Sequence, residues 1–234
     1  DIAEAGYQGT ELFDGNLAEF ENEPEVLLTA LRESGLELVS VYTGANFIYD
    51  EILDDELFKI ERAALLAKKF GASRLVVGGG AKRPDGPKPD DFKKVGRGLD
   101  MTADIARTHG LESSYHPHLG TISETLSGFH QIMDSCSIGF CPDTAHLVAS
   151  GIDPVEAIER YGDRLQHVHL KDLSQKTGQF TPLGEGDIDF PSVLEAIRAT
   201  NYNSWLMVEL DSFEGDPKTA AITSKRYLEV LLAK

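Results

Sequence analysis

The sequence predicts an α/β fold in which a parallel sheet is covered by helices on its outside. Short runs of apolar and β-branched residues alternate strictly with longer helical patterns along the chain, as expected when each strand is followed by a helix. No GxGxxG motif follows the first strand, which disfavours the doubly wound, nucleotide-binding version of such a sheet. A closed (β/α)8 barrel is therefore the predicted architecture.

Seven strands are predicted from short apolar or alternating runs that end near glycine, proline or aspartate. They occupy residues 9–13, 36–43, 73–79, 111–118, 138–144, 165–172 and 205–211. An eight-stranded barrel needs one strand more, and the chain opens on DIAEAG, a segment typical of the end of a helix. We therefore expect that the first barrel strand is missing from this chain and would precede residue 1.

Seven helices are predicted between and after the strands from apolar periodicity and from start and stop signals. They occupy residues 23–34, 55–70, 90–109, 122–134, 153–161, 190–199 and 217–233. The one segment dense in proline and glycine, residues 80–90, is short enough to be a loop between a strand and a helix. Residues 1–234 are therefore predicted to form a single barrel domain.

The charge balance limits the partners that the protein is expected to bind. The 39 acidic and 22 basic residues give a formal net charge of −17, which disfavours nucleic acid and anionic membranes and favours a small molecule or a cation. No apolar run approaches the roughly 18–20 residues that cross a bilayer, and the first residues lack a secretory signal, so a cytoplasmic location is expected. Cys136 and Cys141 are expected to be reduced core residues. The sequence leaves open whether the chain forms a homo-oligomer.

Polar residues collect at the carboxyl ends of the predicted strands, which in a parallel barrel all meet at one mouth. These residues are Glu11, His116, His118, Asp143, His146, His167, His169, Lys171, Asp172, Glu209 and Asp211. Residues two apart along a strand share a face. In HVHLKD this parity directs His167, His169 and Lys171 into the barrel and turns Val168 and Leu170 towards the helices.

Imidazoles and carboxylates from four strands form a donor set for a divalent cation. Mn²⁺, Zn²⁺, Co²⁺ and Mg²⁺ all accept such ligands, and the charge of the ion offsets the cost of burying the carboxylates. Each residue taken singly has another explanation, since Asp143 is also typical of a helix cap and strand-end histidines are often satisfied core residues. Their joint occurrence at one mouth favours a metal site, to which the pair His116 and His118 contributes one ligand and one neighbouring group.

Four segments carry a resemblance to a known family. The segments are YHPHLGT, the stretch from CPDTAH to HVHLKDL, PLGEGDIDFPSVLEAI and WLMVELD. They resemble the sugar phosphate isomerase/epimerase group of xylose isomerase-like TIM barrels, which includes inosose dehydratases and AP-endonuclease-type metal barrels. The resemblance covers essentially the whole chain and implies one divalent metal held by Asp143, His169 and Glu209. Many members carry a glutamate where this chain has HPH, so His116 is expected to replace that ligand, with His118 or water as alternatives. YHPHLGT together with HVHLKD is most similar to the inosose dehydratase branch.

The resemblance implies chemistry on a small keto-sugar or keto-polyol. A metal bound to a carbonyl and its neighbouring hydroxyl acidifies the C–H between them and stabilises the enediolate that a general base produces. Reprotonation gives isomerisation or epimerisation, and loss of a β-hydroxyl gives dehydration. We expect His118 or His146 to be the base or acid and Lys171 to donate a hydrogen bond to a substrate oxygen.

Two other functions are compatible with the same fold. A metal-dependent hydrolase of the AP-endonuclease type would need several metals and a basic face for DNA, which the net charge of −17 disfavours. A non-catalytic carbohydrate-binding barrel would have no need for the set of Asp143, His169 and Glu209. Lys82 and Arg83 either neutralise an anionic group of the substrate or are solvated loop charges.

Overall fold

Strands and helices alternate along residues 1–233, the part of the chain that the computed structural model describes; residue 234, the last of the predicted domain, lies outside the described residues. The strands are β1 (Gly9–Phe13), β2 (Glu37–Ala45), β3 (Arg74–Gly79), β4 (Glu112–Tyr115), β5 (Gly139–Phe140), β6 (His169–Leu170), β7 (Asp172–Ser174), β8 (Gln179–Thr181) and β9 (Met207–Val208). The α-helices are α1 (Asp14–Glu19), α2 (Pro24–Ser34), α3 (Leu53–Lys69), α4 (Asp91–Thr108), α5 (Leu126–Met133), α6 (Thr144–Ala149), α7 (Pro154–Tyr161), α8 (Phe190–Ala199) and α9 (Pro217–Leu232).

The barrel strands pair in parallel and in chain order. β1 to β5 form one five-stranded sheet, and β6 pairs with β9. Isolated parallel bridges between Phe140 and Leu165 and between Asp143 and His169 connect the β5 segment to the segment of β6. The parallel order with outer helices confirms the predicted α/β barrel.

A cavity of about 740 Å³ opens between β1 and β9, which do not pair with each other within residues 1–233. Its walls include Leu12 and Phe13 of the β1 strand and Met207 and Val208 of β9. In a closed eight-stranded barrel a further strand would stand in this interval. The expectation of a strand before residue 1 stays a prediction.

Two apolar clusters hold the helices against the outside of the barrel. In the larger cluster Leu75 and Val77 of β3 pack with Ile60 of α3 and Leu99 of α4, all essentially inaccessible to solvent. Burial of such side chains contributes about 1.5–3 kcal/mol each. No helix among residues 1–233 is both long enough and apolar enough to cross a membrane.

The second cluster confirms the predicted parity of HVHLKD. Val168 and Leu170 pack there with Val193 and Ile197 of α8, on the outside of the barrel. The residues between them are therefore turned to the barrel interior.

Asp172 anchors the loop that follows the hairpin of β7 and β8. Its buried carboxylate accepts hydrogen bonds from the backbone N–H groups of Leu173, Gly184, Gly186 and Ile188, at 2.8 to 3.2 Å. A Cβ atom at Gly186 would lie 2.3 Å from the Asp172 Oδ1 atom, so the loop can approach this closely because residue 186 is glycine. This loop is thereby held against the start of β7.

Several elements differ in extent from the sequence prediction. The predicted strand 111–118 ends at Tyr115 because Pro117 has no N–H for the ladder, although the His116 N–H still donates to the Val77 carbonyl at 2.8 Å. The predicted strand 138–144 is limited to Gly139 and Phe140, because Pro142 interrupts the pairing in the same way.

Other elements were not predicted at all. The short helices α1 and α6 and the antiparallel pair of β7 and β8 lie in segments that the sequence pattern assigned to loops or to strand ends. Each contains six residues or fewer, too few for an apolar period to be recognised. The predicted helix 122–134 begins later, at Leu126, where the Thr125 hydroxyl accepts from the Gly128 N–H as an N-cap.

Candidate active site and metal centre

Four side chains from separate segments meet in the barrel mouth: His116 after β4, Asp143 before α6, His169 in β6 and Glu209 after β9. One possible ligand atom from each lies within 4.8 Å of those of the others. His116 Nε2 is 3.6 Å from Asp143 Oδ2 and 3.9 Å from Glu209 Oε2, and His169 Nδ1 is 2.5 Å from the same Glu209 oxygen. The structure thus brings together all four predicted ligands.

His116 lacks the partners that a buried imidazole normally has. Its side chain is inaccessible to solvent, and within residues 1–233 neither of its ring nitrogens has a hydrogen-bond partner. Burial lowers the pKa of His116 more strongly than Asp143 raises it. Burial of a neutral imidazole without a hydrogen-bond partner costs free energy, and such an imidazole is a good ligand for a divalent cation.

Asp143 serves two purposes, one with each oxygen. Oδ1 accepts from the His146 N–H at 2.8 Å and caps α6, as the helix-cap explanation of this residue requires. Oδ2 faces His116 and the Lys171 ammonium, 3.1 Å away. Burial alone would raise the pKa of Asp143, but Lys171 and His116 outweigh it and hold the pKa well below its usual range.

Lys171 is a buried cation in the middle of the site. Its Nζ lies 3.1 Å from Asp143 Oδ2, 3.3 Å from Glu209 Oε1 and 3.0 Å from Asp211 Oδ2. Burial would lower the pKa of Lys171, but these three carboxylates raise it. The ammonium therefore stays charged and compensates acidic groups that would otherwise repel one another.

His118 and His146 lie beside the four-residue cluster and not within it. Their ring centroids are 3.8 Å apart, and His146 Nε2 is 3.3 Å from Asp211 Oδ2. His118 Nδ1 lies 2.6 Å from the Leu119 carbonyl, which only accepts hydrogen bonds, so Nδ1 carries the proton and Nε2 has the free lone pair. Burial and the neighbouring His146 lower the pKa of His118.

Glu11 is the acidic residue on the other side of His169. Its Oε1 lies 3.2 Å from His169 Nε2, and the Ser40 hydroxyl donates to its Oε2 at 2.5 Å. Burial would raise the pKa of Glu11, but His169 and His167 lower it well below its usual range. For His169 burial would lower the pKa, and Cys141, Glu11 and Glu209 raise it well above its usual value.

Three residues of the site were predicted to lie at the mouth, but no role was predicted for them. Glu11, His167 and Asp211 were recognised by their place at strand ends, but their partners depend on contacts between distant strands. Ser40 was missed altogether, although a lone serine in the apolar run LVSVY was a usable signal. Phe180, whose ring lies 5.4 Å from that of His146, comes from the unpredicted hairpin.

The mouth opens into two cavities that share Tyr42 and His118. The larger is the cavity between β1 and β9, whose walls also include Glu11, Glu209, Asp211 and the apolar Phe213. The smaller, about 430 Å³, lies on the side of Asn46 and Thr121. Together they are large enough for a ligand of sugar size next to the cluster.

The protein is a TIM barrel, since its parallel strands are covered by outer helices. Its cluster of imidazoles and carboxylates lies at the carboxyl ends of the strands, where the active sites of TIM-barrel enzymes lie. Residues 1–231 match the family described as xylose isomerase-like TIM barrel, and the chain belongs to this family.

Curated relatives with a named activity align over nearly the whole chain. The chain is 30% identical to the inosose dehydratase of Lacticaseibacillus casei, over 97% of this chain and 86% of that protein. It is also 30% identical to the inosose dehydratase of Geobacillus kaustophilus, over 99% of this chain and 85% of that protein. The expected xylose isomerase-like barrel and the expectation of an enzyme are confirmed.

Solved structures show the same fold at lower identity. The IolI protein, described with a bound zinc atom, superposes with a TM-score of 0.82 at 17% identity, over 99% of this chain and 90% of that one. The 3-keto-D-glucoside 4-epimerase of E. coli superposes with a TM-score of 0.77 at 23% identity, over 97% and 90%.

Proposed function

We propose that this sugar-modifying enzyme is a divalent metal-dependent lyase that dehydrates a small, unphosphorylated keto-polyol of the inosose type. The observation that carries the proposal is the cluster of His116, Asp143, His169 and Glu209, with its unpartnered buried imidazole. The two inosose dehydratases that align over nearly the whole chain support this choice of reaction.

The donor set fits the implied cation. Two imidazoles and two carboxylates would hold the ion, and this mixture of nitrogen and oxygen ligands suits Mn²⁺, Zn²⁺ or Co²⁺ better than Mg²⁺, which prefers oxygen. The zinc described for the IolI protein agrees with such a site. When bound, the cation would polarise the keto oxygen of the substrate and so acidify the neighbouring C–H.

His118 and His146 are proposed to move the protons. His118 Nε2, with its free lone pair, takes the proton from the carbon next to the keto group, and the electron pair remains on the substrate as an enediolate. The hydroxyl on the following carbon leaves, and His146, held by Asp211, supplies the proton with which it departs as water. Both imidazoles lie beside the proposed ligands, where a base must lie to reach the substrate.

Lys171 is proposed to balance the charge of the site. An ammonium has three N–H donors, and the Nζ of Lys171 already has three carboxylates within 3.3 Å, those of Asp143, Glu209 and Asp211. This leaves little capacity to bind substrate, and the hydrogen bond to a substrate oxygen expected from the sequence stays a prediction.

An unphosphorylated substrate is favoured because the basic side chains near the mouth are paired with acidic ones. Lys59 is the only lysine or arginine among the described residues that line the two cavities, and it lies 3.5 Å from Asp14. In the loop after β3, Lys82 pairs with Glu124 and Arg83 pairs with a buried Asp91. No lysine or arginine lining the cavities is left to neutralise a phosphate, and the neutral polyol is the better fit.

The structure disfavours the AP-endonuclease-type hydrolase. Such an enzyme would place a second metal beside the first, and His118, His146 and Asp211 form a further group of potential ligands there. The Lys171 ammonium lies 3.0 Å from both His146 and Asp211 and takes the place of that cation. The net charge of −17 also remains unfavourable for DNA.

The test is turnover by metal-reconstituted protein on an inosose in D₂O, followed by mass spectrometry and NMR. Loss of one water from the substrate, dependent on added Mn²⁺ or Co²⁺, is expected. Deuterium incorporation without loss of water would instead indicate an isomerase or epimerase. Neither reaction, with the inosose bound, would indicate a carbohydrate-binding barrel, and cleavage of DNA with an abasic site would indicate the hydrolase.

A further inference from the structure

The ring of His169 lies between two carboxylates, one at each nitrogen. Nδ1 is 2.5 Å from Glu209, on the side of the proposed metal centre, and Nε2 is 3.2 Å from Glu11 Oε1, on the opposite side. His169 itself is almost completely buried. Glu11 has no place among the four proposed ligands, so its position behind the ring needs its own explanation.

A neutral imidazole has one lone pair and one N–H, so a histidine that binds a metal through one nitrogen carries its proton on the other. The second nitrogen commonly donates this proton to a carboxylate, which fixes the tautomer and orientation of the ring and makes the ligand more basic. We propose that Glu11 is the positioning residue that does this for His169. This inference rests on the proposed metal centre and adds to it the residue that prepares Nδ1 as the ligand atom.

The local structure of β1 and β2 holds Glu11 in this position. The register of the two strands shifts between Thr10 and Glu11, so that Thr10 pairs with Leu38 while Glu11 pairs with Ser40. Val39 is the extra residue of a β-bulge, and a bulge changes which face the following side chain occupies. Leu38 and Val41, although three apart, therefore both pack in the outer apolar cluster.

The same bulge turns Ser40 into the barrel. The Ser40 hydroxyl donates to Glu11 Oε2 at 2.5 Å, and His169 Nε2 lies 3.4 Å from this oxygen, with which it forms a hydrogen bond, and 3.2 Å from Oε1. His167 Nε2 is also near, 3.5 Å from Glu11 Oε2. The Ser40 hydroxyl thus holds Glu11 with its carboxylate facing Nε2 of His169.

A second metal between Glu11, His167 and His169 is the alternative use of these residues, since their ligand atoms also lie within 4.8 Å of one another. A single His169 serves both groups, however, and would have to lose both ring protons to bind two cations. A hydrogen bond from Nε2–H to Glu11 requires no such ionisation. The positioning role is therefore the one that the geometry favours.

The test measures metal binding and does not depend on turnover. The metal-free protein is titrated with Zn²⁺ for the wild type, Glu11→Ala, Glu11→Gln and the control Glu112→Gln, which removes an exposed carboxylate elsewhere on the surface. Glu11→Ala should weaken Zn²⁺ binding about 10- to 100-fold at unchanged circular dichroism, as is usual when the carboxylate behind a ligating histidine is lost. Glu11→Gln, whose amide oxygen still accepts a hydrogen bond, should recover part of the affinity, and Glu112→Gln should bind like the wild type.

Nitrogen NMR of the imidazoles provides a readout that a merely structural role would not change. In the zinc-loaded wild type, His169 should be protonated at Nε2, with slow exchange of that proton, and in Glu11→Ala this exchange should accelerate. Unchanged Zn²⁺ affinity in Glu11→Ala, or two Zn²⁺ per chain with metal on Nε2, would overturn the assignment. A wild type that binds no Zn²⁺, Mn²⁺ or Co²⁺ would instead refute the proposed metal centre itself.

Discussion

Replacement of Lys171 by methionine should destabilise the metal-free protein and should do so much less when metal is bound. The side chain of Lys171 is inaccessible to solvent, and its Nζ lies within 3.3 Å of Asp143, Glu209 and Asp211. Methionine keeps most of the length of the side chain but leaves three carboxylates without their cation.

The expected magnitude follows from this burial. Removal of one partner of a buried ion pair costs about 3–5 kcal/mol. For a chain of this size each kcal/mol shifts the melting temperature by about 2–4 °C, so metal-free Lys171→Met should melt about 6–20 °C below the wild type. Saturating Mn²⁺ should remove most of this difference, because the ion supplies positive charge to two of these carboxylates, Asp143 and Glu209. Lys94→Met is the matched control: Lys94 pairs with Asp50 at 2.5 Å on the surface, and its loss should cost less than about 1 kcal/mol.

The loss of stability in metal-free Lys171→Met should also depend on pH. In the wild type the pKa of Asp143 and that of Asp211 lie below their usual values, so these groups stabilise the fold above pH ~4 and lose that effect as the pH falls. Without Lys171, burial dominates and the carboxylates bind protons more readily, which relieves their repulsion at lower pH. The destabilisation should therefore be largest near pH 7 and smaller near pH 5, as measured by thermal unfolding in EDTA. A loss below about 2 °C at pH 7, or an equal loss with and without Mn²⁺, would refute this account of Lys171.

Three further outcomes are expected. His116→Ala should lower the metal content measured by elemental analysis, whereas His118→Ala should keep the metal and lose turnover about 10²- to 10⁴-fold; the reverse pattern would exchange their roles. Because the pKa of His169 is raised, Zn²⁺ binding at pH 7 should release about one proton, seen by calorimetry in two buffers, and no release would contradict a protonated His169. Asp172→Asn should cost about 3 kcal/mol in urea unfolding, and a loss within experimental error would mean that the loop is held otherwise.

The fold could be predicted from the sequence because its signals are local. The period of HVHLKD placed Val168 outside and His169 inside without knowledge of any neighbour, and the structure agrees. The four proposed ligands were found for the same reason, since each stands at the end of a recognisable strand. Their joint occurrence at one mouth predicted a metal site, and the resemblance to the family added the assignment of individual ligands.

The features of the site that the sequence did not predict depend on contacts between distant segments of the chain. Ser40 faces Glu11 because of a bulge in β2, and nothing in LVSVY indicates where an extra residue enters the ladder. The place of Lys171 among three carboxylates likewise depends on strands that are 28 and more residues apart in the chain. Short elements such as β7 and β8 were missed because three residues carry no usable period.

Lys171 lies between β6 and β7 and Asp172 begins β7, and the side chains of these adjacent residues have different partners. Lys171 is proposed to balance the charge of the site, while Asp172 holds the 182–188 loop through backbone N–H groups alone. Any residue except proline provides such an N–H, so the anchor itself does not depend on which side chains the loop carries. The exposed Glu185 could therefore change while the charged interior stayed the same, whereas the buried Leu183 and Ile188 and the glycines at 184 and 186 restrict the rest of the loop.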